Sequence, residues 1–197
     1  MFKRVENELE LAMFNGIWTT VWMEKGFELE FSNQTLERFI VVTPEGHYVG
    51  TSEIKPYSLT SSSINAAGPF QTNPKVVEAD GAVAEIDKMA LLRPYRGRYI
   101  SDLLSSAVYI AEKLHLKYFV SLLEPKFLRA LRISYQVPLE KVGEKVFYKG
   151  DDVVPVLFDM EQMYRNKHRY DWLVYPLESV LVANGAGGAG QSEAIKL

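Results

Sequence analysis

The sequence contains no cysteine. That excludes disulfides, thiolate metal sites and a cysteine nucleophile, and nothing in the chain calls for an oxidising compartment. Histidine is almost as scarce. His47 falls in a turn, His115 near a helix end and His168 in a basic stretch, none at metal-ligand spacing, so no metal is expected. No uninterrupted apolar run approaches the ~18 residues of a membrane span. The opening Met1–Glu10 mixes charges where a signal peptide needs an apolar core, which points to a cytoplasmic protein without a membrane span. Neither charge sign dominates: 22 basic residues face 25 acidic ones, for a net −3, so no basic field argues for nucleic acid. There is no internal repeat at periods of ~20–50 residues. Ser61–Ser63 lacks the glycine-flanked elbow of a serine hydrolase.

What the sequence does have is enough apolar residue, 47% of 197, for one well-filled domain. Glu6–Trp22 reads as an amphipathic helix, either one piece or two short ones hinged near Asn15–Gly16. Leu9, Ala12, Met13, Gly16, Ile17 and Thr20 recur at helical spacing on one side, and Phe14, Trp18 and Trp22 every four residues on the other. The aromatics are read as covering a sheet. Arg38–Thr43 and Tyr48–Lys55 flank Pro44–His47 as an antiparallel hairpin, which Pro56 ends. Ser58–Lys75 is rich in turn formers and lacks a period; it reads either as a loop over a site or as a plain insertion.

Val83–Leu92 is expected to be a central strand, Ile100–Leu114 an amphipathic helix, and Lys117–Leu122 a further strand. Glu124–Pro125 opens a helix, Val142–Tyr148 and Val153–Phe158 make a hairpin around Lys149–Asp152, and Glu161–Lys167 is a short helix. Tyr170, Trp172, Tyr175 and Leu181 suggest a return onto the body, and Tyr170–Tyr175 is also a candidate homodimer interface. Meander and crossover connections together give an α/β (α+β mixed) fold with a mixed sheet. Residues 1–182 form one domain, followed by a flexible Gly/Ala-rich tail over 183–197.

Chemistry concentrates where the central strand runs through Arg93-Pro-Tyr-Arg-Gly-Arg-Tyr-Ile-Ser101 into a long helix. A helix N-terminus exposes unpaired amides and the positive end of the dipole, and arginines beside Gly97 favour a pyrophosphate there. A solvated basic turn is the plainer reading. A carboxylate is needed to take a proton from an attacking ammonium. Glu85 alternates with apolar neighbours on the strand, Asp87 shares its face, and Glu53 lies on the neighbouring strand. Desolvation raises the pKa of such a carboxylate, although structural salt bridges use the same pattern.

Met89–Leu104 resembles the donor loop of the GNAT N-acyltransferases, in which a strand leads into Gln/Arg-x-x-Gly-x-Gly/Ala at a helix start. Arg96 matches the first position, whereas Tyr99 stands where glycine is usual and Ser101 where glycine or alanine is usual. Val120–Ser134, Val142–Gly143 and Val153–Asp159 are similar to acyl-homoserine-lactone synthases and N-acyl amino acid synthases, which also resemble this chain in pairing a strand glutamate, here Glu85, with a basic residue, here Lys88. The resemblance implies a splayed mixed sheet flanked by helices. It implies a donor bound by Ala90, Leu91, Leu92, Arg96, Gly97, Arg98, Tyr99 and Ser101, either an acyl-CoA (acetyl or longer) or an acyl carrier protein. It implies a small-molecule amine as acceptor, with Glu85 and Glu53 as the catalytic carboxylates. Lys126–Ser134 lacks the tyrosine that many acetyltransferases use to protonate the departing thiolate. A GNAT-like module that binds acyl thioesters without turnover is the alternative, and the Arg165–Arg169 patch is either a solvated face or a contact for the acidic carrier protein.

Overall fold

The computed structural model describes residues 1–79 and 81–175, so the expected tail, the boundary at 182 and Leu181 lie outside the described residues. The chain runs β1 (Phe2–Arg4), α1 (Glu8–Lys25), β2 (Glu37–Val42), β3 (Tyr48–Pro56), α2 (Pro74–Glu78), β4 (Val83–Leu91), α3 (Ile100–Lys113) and β5 (Tyr118–Leu123). It continues with α4 (Pro125–Ile133), β6 (Leu139–Lys141), β7 (Val146–Tyr148), β8 (Asp151–Asp159) and α5 (Met160–Arg165). The strands form one sheet in the order β1-β2-β3-β4-β5-β8-β6, with β7 also paired to β8. Only β4 and β5 are parallel; all other pairings are antiparallel. Parallel neighbours require a crossover, which α3 supplies. The mixed sheet flanked by helices is the architecture expected from the sequence.

Alternation along β2 sets the layers. Phe39 and Val41 join clusters with α3, while Ile40 and Val42 pack with α1, so the two helices cover opposite faces. In α3 Leu103, Leu104, Ala107, Val108 and Ala111 are buried as its periodicity predicted, while Ile100 is half-buried, Leu114 is exposed and Ile110, off that stripe, is buried. The first helix settles two open points, and its aromatics cover the sheet as read from the sequence. It runs unbroken from Glu8 to Lys25, capped by Asn7, whose side chain accepts the Glu10 N–H at 2.9 Å, and stopped by Gly26 in the left-handed region. There is no hinge at Asn15–Gly16. Phe14, Ile17, Trp18 and Val21 are buried, whereas Leu9 and Met13 of the competing stripe are exposed. Both sides of this helix are apolar, so periodicity alone does not choose between them. The aromatic side removes more surface from water and wins.

The segment after β3 is more ordered than its composition suggested. It contains 3-10 turns at Ser63–Ala66 and Phe70–Thr72, and Ile64 and Phe70 are buried in a cluster with Val120 and Leu157. Strands β1 and β6 were not anticipated, because three residues are too few to display a period. Tyr170, Trp172 and Tyr175 pack back on the body. Trp172 donates to the Tyr135 carbonyl at 3.0 Å and Tyr175 lies edge-on to Tyr109, so these rings serve the chain's own core.

Candidate active site

β4 and β5 pair at three positions only, Val83↔Tyr118, Ala84↔Phe119 and Glu85↔Val120. Beyond that rung each strand continues, β4 to Leu91 and β5 to Leu123, without the other. Ser121 marks the fork: its Oγ donates to the Ile86 carbonyl at 3.0 Å, satisfying an acceptor at the point where the ladder stops. The gap opens into a cleft of about 300 Å³. Ile86, Met89, Ala90 and Leu91 of β4 form one wall and Leu122 and Leu123 of β5 the other.

A strap roofs the cleft. After α1, Phe27 packs on Trp22 and Phe31 on Trp18, with ring centroids 5.7 and 5.1 Å apart. The Glu28 N–H then donates to the Lys149 carbonyl at 2.9 Å, and Lys149 pairs with Glu30. The β7–β8 turn comes so close that a β-carbon on Gly150 would run into the Gly26 carbonyl, and Gly150 itself has φ +112. These contacts bring Tyr148 into the cleft lining opposite β4.

A bulge in β4 determines which side chains share the cleft. Thr51 pairs with Ala90 and Glu53 with Asp87, so Lys88 and Met89 together stand against Ser52. Lys88 takes φ +48, in the left-handed region, and the Thr51 hydroxyl donates to its carbonyl at 2.9 Å. As a result Asp87 and Lys88 face the same side, with Lys88 5.0 Å over the Trp18 ring.

Two carboxylates on this face have opposite environments. Glu85 occupies the last paired rung, lines the cleft and is 8% exposed. Lys55 bridges it at 2.7 Å and Asp87 at 3.0 Å. Burial pushes the Glu85 carboxyl above the ordinary carboxylate range; the Lys55 charge opposes that shift and the Asp87 charge adds to it. Burial alone would lower the pKa of Lys55, but the Asp87 and Glu85 charges outweigh it and keep the ammonium protonated. Glu53 is fully buried and lies outside the cleft lining. It accepts hydrogen bonds from Ser32 at 2.5 Å, Thr35 at 3.1 Å, Arg38 at 2.6 Å and Lys88. Burial would raise its pKa, yet the hydrogen bonds from Lys88 and Ser32 and the Lys88 charge hold it below the usual range.

Of the residues expected to hold a donor, Ala90, Leu91, Arg96 and Gly97 line the cleft, while Leu92, Arg98, Tyr99 and Ser101 do not. Arg96 donates from Nε to the Leu91 carbonyl at 3.1 Å and pairs with Glu24 at 2.7 Å. Tyr99, where the pattern has glycine, tilts against Tyr95 with centroids 6.0 Å apart, at the start of α3 and clear of the cleft. Sequence reasoning missed Lys55, Tyr148 and Lys25 as lining residues. The register Lys55↔Glu85 would have revealed Lys55; no local pattern marks the other two.

No family model matches the sequence, and no curated protein is significantly similar to it. Solved structures are similar in fold. The N-acyl amino acid synthase FeeM from uncultured soil microbes aligns over 82% of this chain and 91% of its own at TM-score 0.66 and 12% identity. The CoA-dependent acyl-homoserine lactone synthase BjaI aligns over 87% and 89% at TM-score 0.56 and 11% identity. A Lactobacillus plantarum protein described as an N-acetyltransferase aligns over 81% and 97% at TM-score 0.57 and 15% identity. At such identities the likeness lies in architecture, and with the forked sheet and crossover helix it assigns this chain the fold of the GNAT acyltransferases.

Proposed function

We propose that the protein is an N-acyltransferase that moves an acyl group from a thioester donor, an acyl-CoA or an acyl carrier protein, to a small-molecule amine. The observation that carries this is the position of Glu85: a buried carboxylate of raised pKa at the apex of the fork, where the two strands part. In this reading the donor's arm lies along the unpaired edge of β4 past Ala90 and Leu91, with its phosphates at Arg96, Gly97 and the start of α3. Glu85 takes a proton from the acceptor ammonium, and the free amine adds to the thioester carbon. The Lys88 amide is taken by the Asp87 carboxylate at 2.7 Å, so the developing oxyanion falls to another amide on the unpaired edge of β4. Collapse breaks the C–S bond and forms the amide; the thiolate leaves with one proton, and the second proton shed by nitrogen restores the group that supplied it, so the net proton released is the one on Glu85. Tyr148 can supply the thiolate's proton, because burial and then the Glu85 charge hold its phenol protonated well above neutral pH.

Glu53 acts at one remove, fixing Lys88 and hence the bulge. Leu92, Arg98, Tyr99 and Ser101 contribute through the shape of the loop rather than from the cleft lining. The Lys55 bridge to Glu85 favours the second reading, a module that holds the thioester without turning it over. Mixing the protein with acetyl-CoA or a long-chain acyl-CoA and an amine panel, with release of free thiol followed, separates the two. Thiol release that disappears in Glu85→Gln supports catalysis; donor binding without release in any pairing supports the module.

A further inference from the structure

Three ion pairs cross the cleft mouth: Glu24–Arg96 and Lys25–Glu124, tying α1 to the starts of α3 and α4, and Glu30–Lys149, tying the strap to the β7–β8 turn. We infer that Lys25 is, with Arg96, a ligand for the donor's phosphates, and that Glu24 and Glu124 occupy these two cations as internal anions until the donor displaces them. The inference rests on the thioester-donor reading above for the identity of the anion, and on the following geometry for its place.

The forked strands run directly into helices, β4 through Arg93–Tyr99 into α3 and β5 through Glu124 into α4. Two sets of unpaired first-turn amides and two positive dipole ends therefore meet at one end of the cleft. Arg96 and Lys25 both line that end. The Arg96 Nε is fixed on the Leu91 carbonyl, leaving the outer edge of the guanidinium for an anion, and Glu24 fills it at 2.7 Å. Glu124 stands at the N-cap of α4 yet makes no capping bond to its own helix; its carboxylate reaches across to Lys25 instead. A carboxylate that forgoes its local cap for a cation across the gap occupies the place of an exogenous anion. The third pair has no helix start beside it and serves as an internal control.

The experiment measures binding of CoA and, separately, of inorganic pyrophosphate by isothermal titration to the whole protein. The variants are Glu24→Gln/Glu124→Gln, Lys25→Ala and Glu30→Gln, each checked for a native circular-dichroism spectrum. Removing the internal anions is expected to tighten both ligands by about three- to tenfold, the scale of one or two partly exposed ion pairs. Lys25→Ala should weaken both by a similar factor, and Glu30→Gln should leave them unchanged. The inference is overturned if the double variant binds no tighter, if Lys25→Ala binds as well as the parent, or if Glu30→Gln tightens binding equally. Pyrophosphate following this pattern while CoA fails to bind would uphold the anion site and remove the donor reading. CoA binding that is insensitive to all three variants would do the reverse.

Discussion

The sheet consists of two leaves that meet at the fork, and they are made of different material. The N-terminal leaf, β1–β4, buries Glu37, Thr51, Ser52, Glu53, Glu85 and Lys88 among its strands, whereas the buried polar residue of the C-terminal leaf, β5–β8, is Ser121. The C-terminal leaf is held by Phe119, Val120, Val154, Val156, Leu157 and Phe158, apolar side chains that need only volume to fill. A buried charge in the N-terminal leaf instead demands a partner in a fixed place. Ion pairs and hydrogen bonds are directional, so the leaf that contains them can hold a carboxylate and a bulge to a defined geometry. The apolar leaf supplies a firm wall against which that geometry is kept.

The contrast can be broken most severely at Lys88. Lys88→Met leaves Glu53 buried with one cation fewer and should reduce stability by about 3–5 kcal/mol in denaturant unfolding. A loss below 1 kcal/mol would mean that Arg38, Ser32 and Thr35 suffice to hold the carboxylate. Next comes Glu85→Gln, expected to lower acyl transfer by about 10²–10³-fold. It should also abolish the acid limb of the pH–rate profile, which in the parent lies above the ordinary carboxylate range because burial raises this group's pKa.

A smaller effect concerns pH and stability, with opposite signs for the two carboxylates. Glu53, lowered in the fold, contributes stability present above its unfolded pKa and lost as pH falls through the folded one. Glu85, raised in the fold, contributes stability present below its unfolded pKa and lost as pH rises through the folded one. Denaturation midpoints across pH should therefore show Glu53→Gln flattening the acid side and Glu85→Gln gaining on the parent toward neutrality; identical profiles would refute the assignment. The least effect is expected in the C-terminal leaf. Ser121→Ala removes one hydrogen bond to Ile86 and should lower stability by about 1 kcal/mol, with the unfolding midpoint as its measure.

Much of this architecture was legible in the sequence, because β-branched runs such as Phe39–Val42 and the single-faced stripe of α3 carry one period each. Arg96, singled out by the resemblance, and Glu85, picked out by its alternation, both line the cleft. What was not legible depends on register. The bulge at Lys88 shifts the facing of every later residue of β4, Lys55 reaches Glu85 only through strand pairing, and Tyr148 enters the cleft because Gly150 lets the hairpin seat against Gly26. The face of α1 was legible in part: its aromatics cover the sheet as read, but both of its sides are apolar, and only the tertiary context leaves Leu9 and Met13 exposed.

The three-rung junction between β4 and β5 also bears on how the molecule comes apart. It pairs at three positions, where the ladders on either side of it, β3–β4 and β5–β8, each pair at six, so it is the seam at which the two leaves separate most easily. Amides that bond across the β4–β5 junction are thus expected to exchange with solvent sooner than those of the β2–β3 ladder. The cleft would be lost first on gentle denaturation, so ligand binding should fade while most of the secondary structure is still intact.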